Sequence, residues 1–208
     1  MGAISQETVT GLIFAGGLAT RMGGANKALA RFEGRPLARH VIERLRPQCS
    51  ALLLSANRSP EEFASLGLPV IADRIPGHPG PLAALDAAFA SGRISTEWVL
   101  TAPCDAPRLP GSLTESFAAA QRAANREGRD PDAFVARTGG YVQSAVACIR
   151  AKRLAEAADS VASGERRLRR WLEAVGCESV FFPDEEAFAN FNSDEELRTA
   201  ERRFSRDA

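Results

Sequence analysis

From about residue 9 to about residue 150, short apolar runs alternate with stretches of helical spacing. That order restricts the chain to βα units around a mostly parallel sheet, because parallel neighbours need a crossover that lays a helix on a sheet face. Residues 9–15, 51–56, 69–72 and 97–102 read as strands. Leu37, Val41 and Leu45 after Pro36, the start signal Ser59-Pro60-Glu61-Glu62, and the Ala-rich stretch 81–91 predict the helices between them. At 208 residues and 45% apolar, the chain has material for one sizeable core, so a single α/β domain is expected, with residues 1–8 frayed.

The second half continues less regularly. Ser112-Leu113-Thr114-Glu115 is a capping box that opens a helix ending before the polar run 125–130. Residues 133–137 and 143–149 read as strands around Thr138-Gly139-Gly140, helices follow through Gly176, and 178–182 is a last strand. Ser193-Asp194-Glu195-Glu196 caps a C-terminal helix.

Composition removes several classes of function. Twenty-six basic residues balance 26 acidic ones, so no overall field recruits nucleic acid or a membrane surface. No apolar run is long enough to span a bilayer and no secretory leader is evident, which makes a cytoplasmic protein the expectation. Cys49, Cys104, Cys148 and Cys177 are scattered and read as small reduced hydrophobes, while His40 and His78 are too isolated for a histidine metal site.

Chemistry concentrates where strands end, because ligands of open α/β sheets bind beyond the carboxyl ends. The first strand runs into Ala15-Gly16-Gly17-Leu18-Ala19-Thr20-Arg21-Met22-Gly23-Gly24-Ala25-Asn26-Lys27. Glycines permit positive φ and close approach of backbone N–H groups to phosphate oxygens, and Arg21 and Lys27 supply countercharge. The spacing fits neither a P-loop nor a dinucleotide fingerprint, and a nucleoside triphosphate is the expected ligand. Asn57 with Arg58, Asp73, and Pro103-Cys104-Asp105 follow the other strands. Asp105 is the expected metal ligand, holding Mg²⁺ against phosphate oxygens. Gly80-Pro81-Leu82-Ala83 opens a helix whose first N–H groups suit an anion or a base carbonyl. Asn190 and Asn192 share one face of an extended segment, and Asn192 is the more functional candidate. Arg166 and Arg167, in a basic helical run, are candidates to grip an anionic acceptor.

Taken together, these elements resemble the molybdenum cofactor guanylyltransferases, the MobA-type enzymes. The likeness rests on the glycine loop with Lys27, Ser55-Ala56-Asn57-Arg58, the Asp73 turn, Gly80-Pro81-Leu82-Ala83, Pro103-Cys104-Asp105-Ala106-Pro107, Gly164-Glu165-Arg166-Arg167 and Phe188-Ala189-Asn190-Phe191-Asn192. It implies a single Rossmann-like nucleotidyltransferase domain, 1–208, with helices on both faces of a mostly parallel sheet. A nucleotide-binding half, 9–110, would precede an acceptor-binding half, 111–208. It further implies transfer of GMP from GTP to the phosphate of molybdopterin or its molybdenum form, with Mg²⁺, and partners among cofactor carriers and apoenzymes.

In that reading Asp105, Lys27, Arg21 and Asn192 are catalytic. Ala15, Gly16, Gly17, Lys27, Asn57, Asp73, Gly80, Pro81, Leu82 and Asp105 bind nucleotide, while Arg166, Arg167 and Asn190 bind the acceptor. Ala15-Gly16-Gly17 and Cys104-Asp105 side with guanine over the CTP-using relatives. Asn26, Ala84 and Gln143-Ser144 depart from the family pattern. The alternatives are a CTP-dependent or sugar-phosphate transferase, or a non-catalytic nucleotide carrier.

Overall fold

The structure is a computed structural model that describes residues 2–16, 27–57, 60–75, 80–191 and 193–204. Its strands are β1 (Val9–Phe14), β2 (Arg31–Phe32), β3 (Arg35–Pro36), β4 (Ala51–Ser55), β5 (Val70–Ile71), β6 (Trp98–Pro103), β7 (Ala133–Thr138), β8 (Tyr141–Arg150) and β9 (Cys177–Phe182). The helices are α1 (Leu37–Leu45), α2 (Pro60–Ala64), α3 (Pro81–Ala90), α4 (Leu113–Arg126), α5 (Ala157–Ala162), α6 (Leu168–Ala174) and α7 (Asp194–Phe204).

A seven-stranded sheet has the order β5-β4-β1-β6-β8-β7-β9. β1 pairs in parallel with β4 and β6, β4 with β5, and β7 with β9, while β8 runs against both β6 and β7. The expectation of a mostly parallel sheet therefore holds. Its strands are apolar on both sides because both faces are covered. Val9 and Ile13 of β1 join a core with α1 and α4, contributed by Val41, Leu45, Leu113 and Phe117. Leu12, one residue out of phase, joins the opposite core with Leu82, Leu85, Val161 and Trp171 from α3, α5 and α6. A side-chain period of two on the strand thus serves helices on both faces. Trp98, Phe117 and Phe134 are fully buried, each stabilising the fold by roughly 2–3 kcal/mol.

Four local expectations are corrected. Residues 2–8 do not fray: the Gly2 amide donates to Glu97 Oε2 at 2.7 Å, Gln121 accepts from the Ile4 amide at 2.7 Å, and Ile4 is 2% exposed. Burial of one isoleucine and capture of two backbone groups outweigh the chain entropy there. The Ser112 side chain makes no capping bond. Gln48 does that work from another element, its Oε1 accepting from the Thr114 amide at 3.1 Å. Helix α4 also continues through Asn125 and Arg126 before Gly128, with φ 74°, terminates it. Finally, Arg166 and Arg167 precede α6 rather than lying in it. By contrast, Ser193 Oγ does accept from the Glu196 amide at 3.2 Å, as its capping motif requires.

Between β7 and β8 the register jumps from Val135↔Ala147 to Ala136↔Gln143, so Ser144, Ala145 and Val146 bulge out of β8. β6 keeps its pairing with β1 through Pro103, yet its pairing with β8 ends at Thr101↔Ala147. At the amino edge of the sheet, Arg150 is 2% exposed, pairs with Glu97 and Asp130, and stacks on Trp98 at 4.4 Å. A buried cation needs such partners, and this network is structural. No helix among the described residues is long and apolar enough to cross a membrane.

Candidate active site

The carboxyl ends of β5, β4, β1 and β6 stop at one level, because Phe14 is in register with both Ser55 and Pro103, and Ser55 with Ile71. Backbone bonds stitch the exits together: Cys104 N–H to Phe14 O at 3.0 Å, Ala15 N–H to Ser55 O at 2.8 Å, and Ala56 N–H to Ile71 O at 2.9 Å. Ala15-Gly16, Asn57, Asp73 and Asp105 are thereby brought to a single edge. The chain leaves β1 for β4 on one side and returns through α3 to β6 on the other, so the Gly16 and Asp105 exits flank the topological switch point.

Gly16 corrects one expectation, since its φ is not positive. A Cβ there would lie 3.4 Å from Asn57 Nδ2, an ordinary van der Waals contact. Asn57 and Asp73 form a two-way clasp, Nδ2 donating to Asp73 Oδ2 at 2.6 Å and Oδ1 accepting from the Asp73 amide at 2.8 Å. Asp73 Oδ1 is buried with no hydrogen-bond partner. Burial raises the Asp73 pKa above the ordinary aspartate value, partly offset by the bond from Asn57, with Asp86 pushing it up again.

Lys27 and Asp105 form an ion pair through Nζ and Oδ2, with side chains 23% and 16% exposed. Asp105 Oδ1 is buried and unpartnered. A carboxylate with one oxygen neutralised and the other unused suits a divalent cation. Among the described residues no group of three or more His, Cys, Asp or Glu side chains could enclose a metal. That donor set fits an ion such as Mg²⁺, which draws much of its shell from water and substrate phosphate. Neighbouring Cys104 is buried, and burial, with the adjacent Asp105 charge, pushes its thiol up to about 12.

Helix α3 starts beside these exits. Gly80 precedes it, Pro81 occupies its first turn and Leu82 anchors it at 1% exposure, leaving early backbone N–H groups unpaired by the helix itself. The C-terminal segment reaches the same edge by a backbone bond, Phe191 N–H to Asp105 O at 3.0 Å, and the Phe191 ring stacks on Phe32 at 5.4 Å. Asn190 is exposed next to this link. Helix α6 ends just before β9, whose first residue pairs with Ala133 at the amino edge, so Arg166 and Arg167 enter α6 from the carboxyl side. Their amides both donate to Glu165 Oε1, at 2.9 and 2.8 Å. Gly17, Arg21, Arg58, His78 and Asn192 lie outside the described residues.

Sequence reading passed over the Phe191 link and the pair Arg74–Asp86. A lone acid within the buried run Leu82–Ala88 of α3 was the available signal for the pair.

A family model described as a MobA-like NTP transferase domain matches residues 11–180. The chain is 39% identical over 207 residues to a molybdenum cofactor guanylyltransferase of Burkholderia ambifaria, covering 98% of this chain and 100% of that protein. It is 36% identical over 198 residues to one of Cupriavidus pinatubonensis, covering 95% and 98%. Among solved structures, a molybdopterin-guanine dinucleotide biosynthesis protein A from Archaeoglobus fulgidus superimposes with a TM-score of 0.69 at 20% identity, covering 95% of this chain and 99% of that one. A nucleotidyl transferase from Methanothermobacter thermautotrophicus gives 0.71 at 16% identity, covering 97% and 99%. Both share the fold.

Proposed function

The chain belongs to the MobA-like NTP transferase family, and from that premise we propose that it transfers GMP from GTP to the terminal phosphate of molybdopterin or its molybdenum form. The products are the guanine dinucleotide form of the cofactor and pyrophosphate. One observation carries this reading: the Gly16 exit and the Lys27–Asp105 pair face each other across the switch point of the sheet.

The acceptor phosphate attacks the α-phosphorus in line, and pyrophosphate leaves from the opposite side. A phosphate monoester is already largely ionised near neutral pH, so no protein nucleophile is needed. The protein's task is positioning and charge neutralisation. The exit Ala15-Gly16-Gly17 and the start of α3 (Gly80, Pro81, Leu82) hold the nucleotide through backbone N–H groups other than that of Ala15, which already donates to Ser55 O of β4, and with Pro81 shaping the turn without donating. Asn57 and Asp73 lie beyond them. Lys27 neutralises Asp105 when no ligand is bound and turns to phosphate oxygen when one is, with Arg21 adding charge from the same loop. Mg²⁺ held by Asp105 would supply further neutralisation of the leaving pyrophosphate. Arg166, Arg167 and Asn190 bind the acceptor, and Asn192 takes part in catalysis. Residues 9–110 thus form the nucleotide half and 111–208 the acceptor half.

The test is incubation with GTP, Mg²⁺ and molybdopterin, following pyrophosphate. Release that requires both GTP and the pterin supports the proposal. Release with CTP or with a sugar phosphate instead would reassign the substrates, and nucleotide binding without release would make the protein a carrier.

A further inference from the structure

Asp86 has no role in the reaction above, yet it is a carboxylate 4% exposed in an otherwise apolar stretch of α3. Arg74 holds it at two points, Nε to Oδ2 at 3.3 Å and Nη2 to Oδ1 at 3.1 Å. The pair is one-sided: the Asp86 side chain is 6% exposed and that of Arg74 is 59% exposed. A two-point fork removes most of the freedom of an arginine. An open guanidinium is therefore kept in one orientation, and its Nη1 donates to no partner among the described residues. On the adjacent residue, Asp73 Oδ1 is buried and unpartnered while Oδ2 is occupied by Asn57. A fixed donor and an unused acceptor are carried by consecutive residues.

Their place in the sheet says which part of a nucleotide they meet. Asp105, Gly16, Asn57 and Asp73 follow β6, β1, β4 and β5, which are neighbours in that order. Adjacent strands lie about 4.8 Å apart, so β5 is roughly 14 Å from β6. Phosphates held by Gly16 and Lys27, beside Asp105, leave the far end of the nucleotide, its base, over β4 and β5.

Resting on the nucleotide-transfer reading above, we propose that Arg74, oriented by Asp86, and Asp73 read the edge of guanine. Arg74 Nη1 donates to the O6 carbonyl, and Asp73 Oδ1 accepts from N1–H. Adenine carries an amino group at position 6 and a bare acceptor at N1, which sets donor against donor and acceptor against acceptor. Cytosine, with its 4-amino group and N3, presents the same double mismatch. Sites built around such bonds reject a mismatched partner because their own polar groups are left unpaired. Asp86 is the positioning residue and Arg74 the specificity residue.

The experiment is displacement of a fluorescent GTP analogue by GTP, ATP and CTP, with Mg²⁺ and no acceptor, on wild type, Arg74→Lys and Asp86→Asn. Wild type should prefer GTP. Both variants should bind GTP roughly 10-fold more weakly and ATP unchanged, so the ratio of GTP to ATP affinity drops by the same factor. Arg74 is exposed, so Arg74→Lys decides the matter alone if Asp86→Asn melts early. An unchanged ratio, or equal weakening of GTP and ATP, overturns the base-reading role while leaving nucleotide transfer intact. A wild type that binds none of these nucleotides overturns both.

Discussion

Lys27 Nζ donates to Asp105 Oδ2 across 78 positions of sequence, while Oδ1 of the same carboxylate is buried without a partner. One oxygen is neutralised, and on the proposed reading the other would take a cation. Asp105→Asn keeps the shape and removes the charge. Turnover should fall by about 100-fold or more with the melting temperature nearly kept, as when one electrostatic contact to a transition state is lost. Pyrophosphate release and a thermal melt on the same sample check this, and undiminished release would remove Asp105 from the chemistry.

Phe191 ties the C-terminal segment to the loop of Asp105 and packs on Phe32. Phe191→Ala loses that anchor in a small satellite core with Leu37 and Leu197. Stability should drop by about 3 kcal/mol and kcat by about 10-fold, with the affinity for a GTP analogue little changed. Denaturant melts, steady-state rates and direct binding separate the three quantities.

Gln48 is 5% exposed and serves two elements at once. Its Nε2 donates to Arg44 O at 2.7 Å and Pro110 O at 3.0 Å, and its Oε1 receives the Thr114 amide at the start of α4. Gln48→Ala strands those groups. A cost of about 2 kcal/mol is expected, lowering the melting temperature by about 4–8 °C in a chain of this size, by calorimetry.

Asp73 has a folded-state pKa raised mainly by burial. The folded protein therefore binds a proton more readily than the unfolded chain. Its contribution to stability is present below the unfolded aspartate pKa, about 3.9, and is lost as pH rises through the folded value. Asp73→Asn cannot titrate. Relative to wild type, its stability should grow as pH rises from about 4 toward neutrality and then level off. Melting curves of both proteins across that range would show the divergence, and parallel curves would contradict it.

Cys49, Cys104 and Cys148 are buried, and burial pushes the Cys49 thiol up to about 12. At pH 8 its thiolate fraction is on the order of one in ten thousand. Iodoacetamide should leave these three unmodified in the native protein and label all of them in urea, as read by mass spectrometry. Native labelling of Cys104 at a rate near that of a free thiol would show that its loop opens.

The strands and their shared edge were legible because apolar runs and helix start signals are local. Asn57, Asp73 and Asp105 could be placed at that edge for the same reason: each directly follows an apolar strand. What joins them was not legible. The Asn57–Asp73 clasp, the Lys27–Asp105 pair and the Phe191–Asp105 link join partners 16, 78 and 86 positions apart, and residue type alone does not choose between them. The capping box at Ser112 misled for a related reason, since Gln48 supplied from afar what the local motif promised. The β2–β3 hairpin escaped notice because its turn places Glu33, not glycine or asparagine, at φ 49° before Gly34 at 76°.

The bond from Phe191 to Asp105 also sets a schedule. During synthesis Asp105 emerges well before the segment that braces its loop. A ribosome-bound chain halted short of residue 191 would leave the Asp105 loop without that bond. The bracing of Asp105 is thus deferred until Phe191 is available to fold.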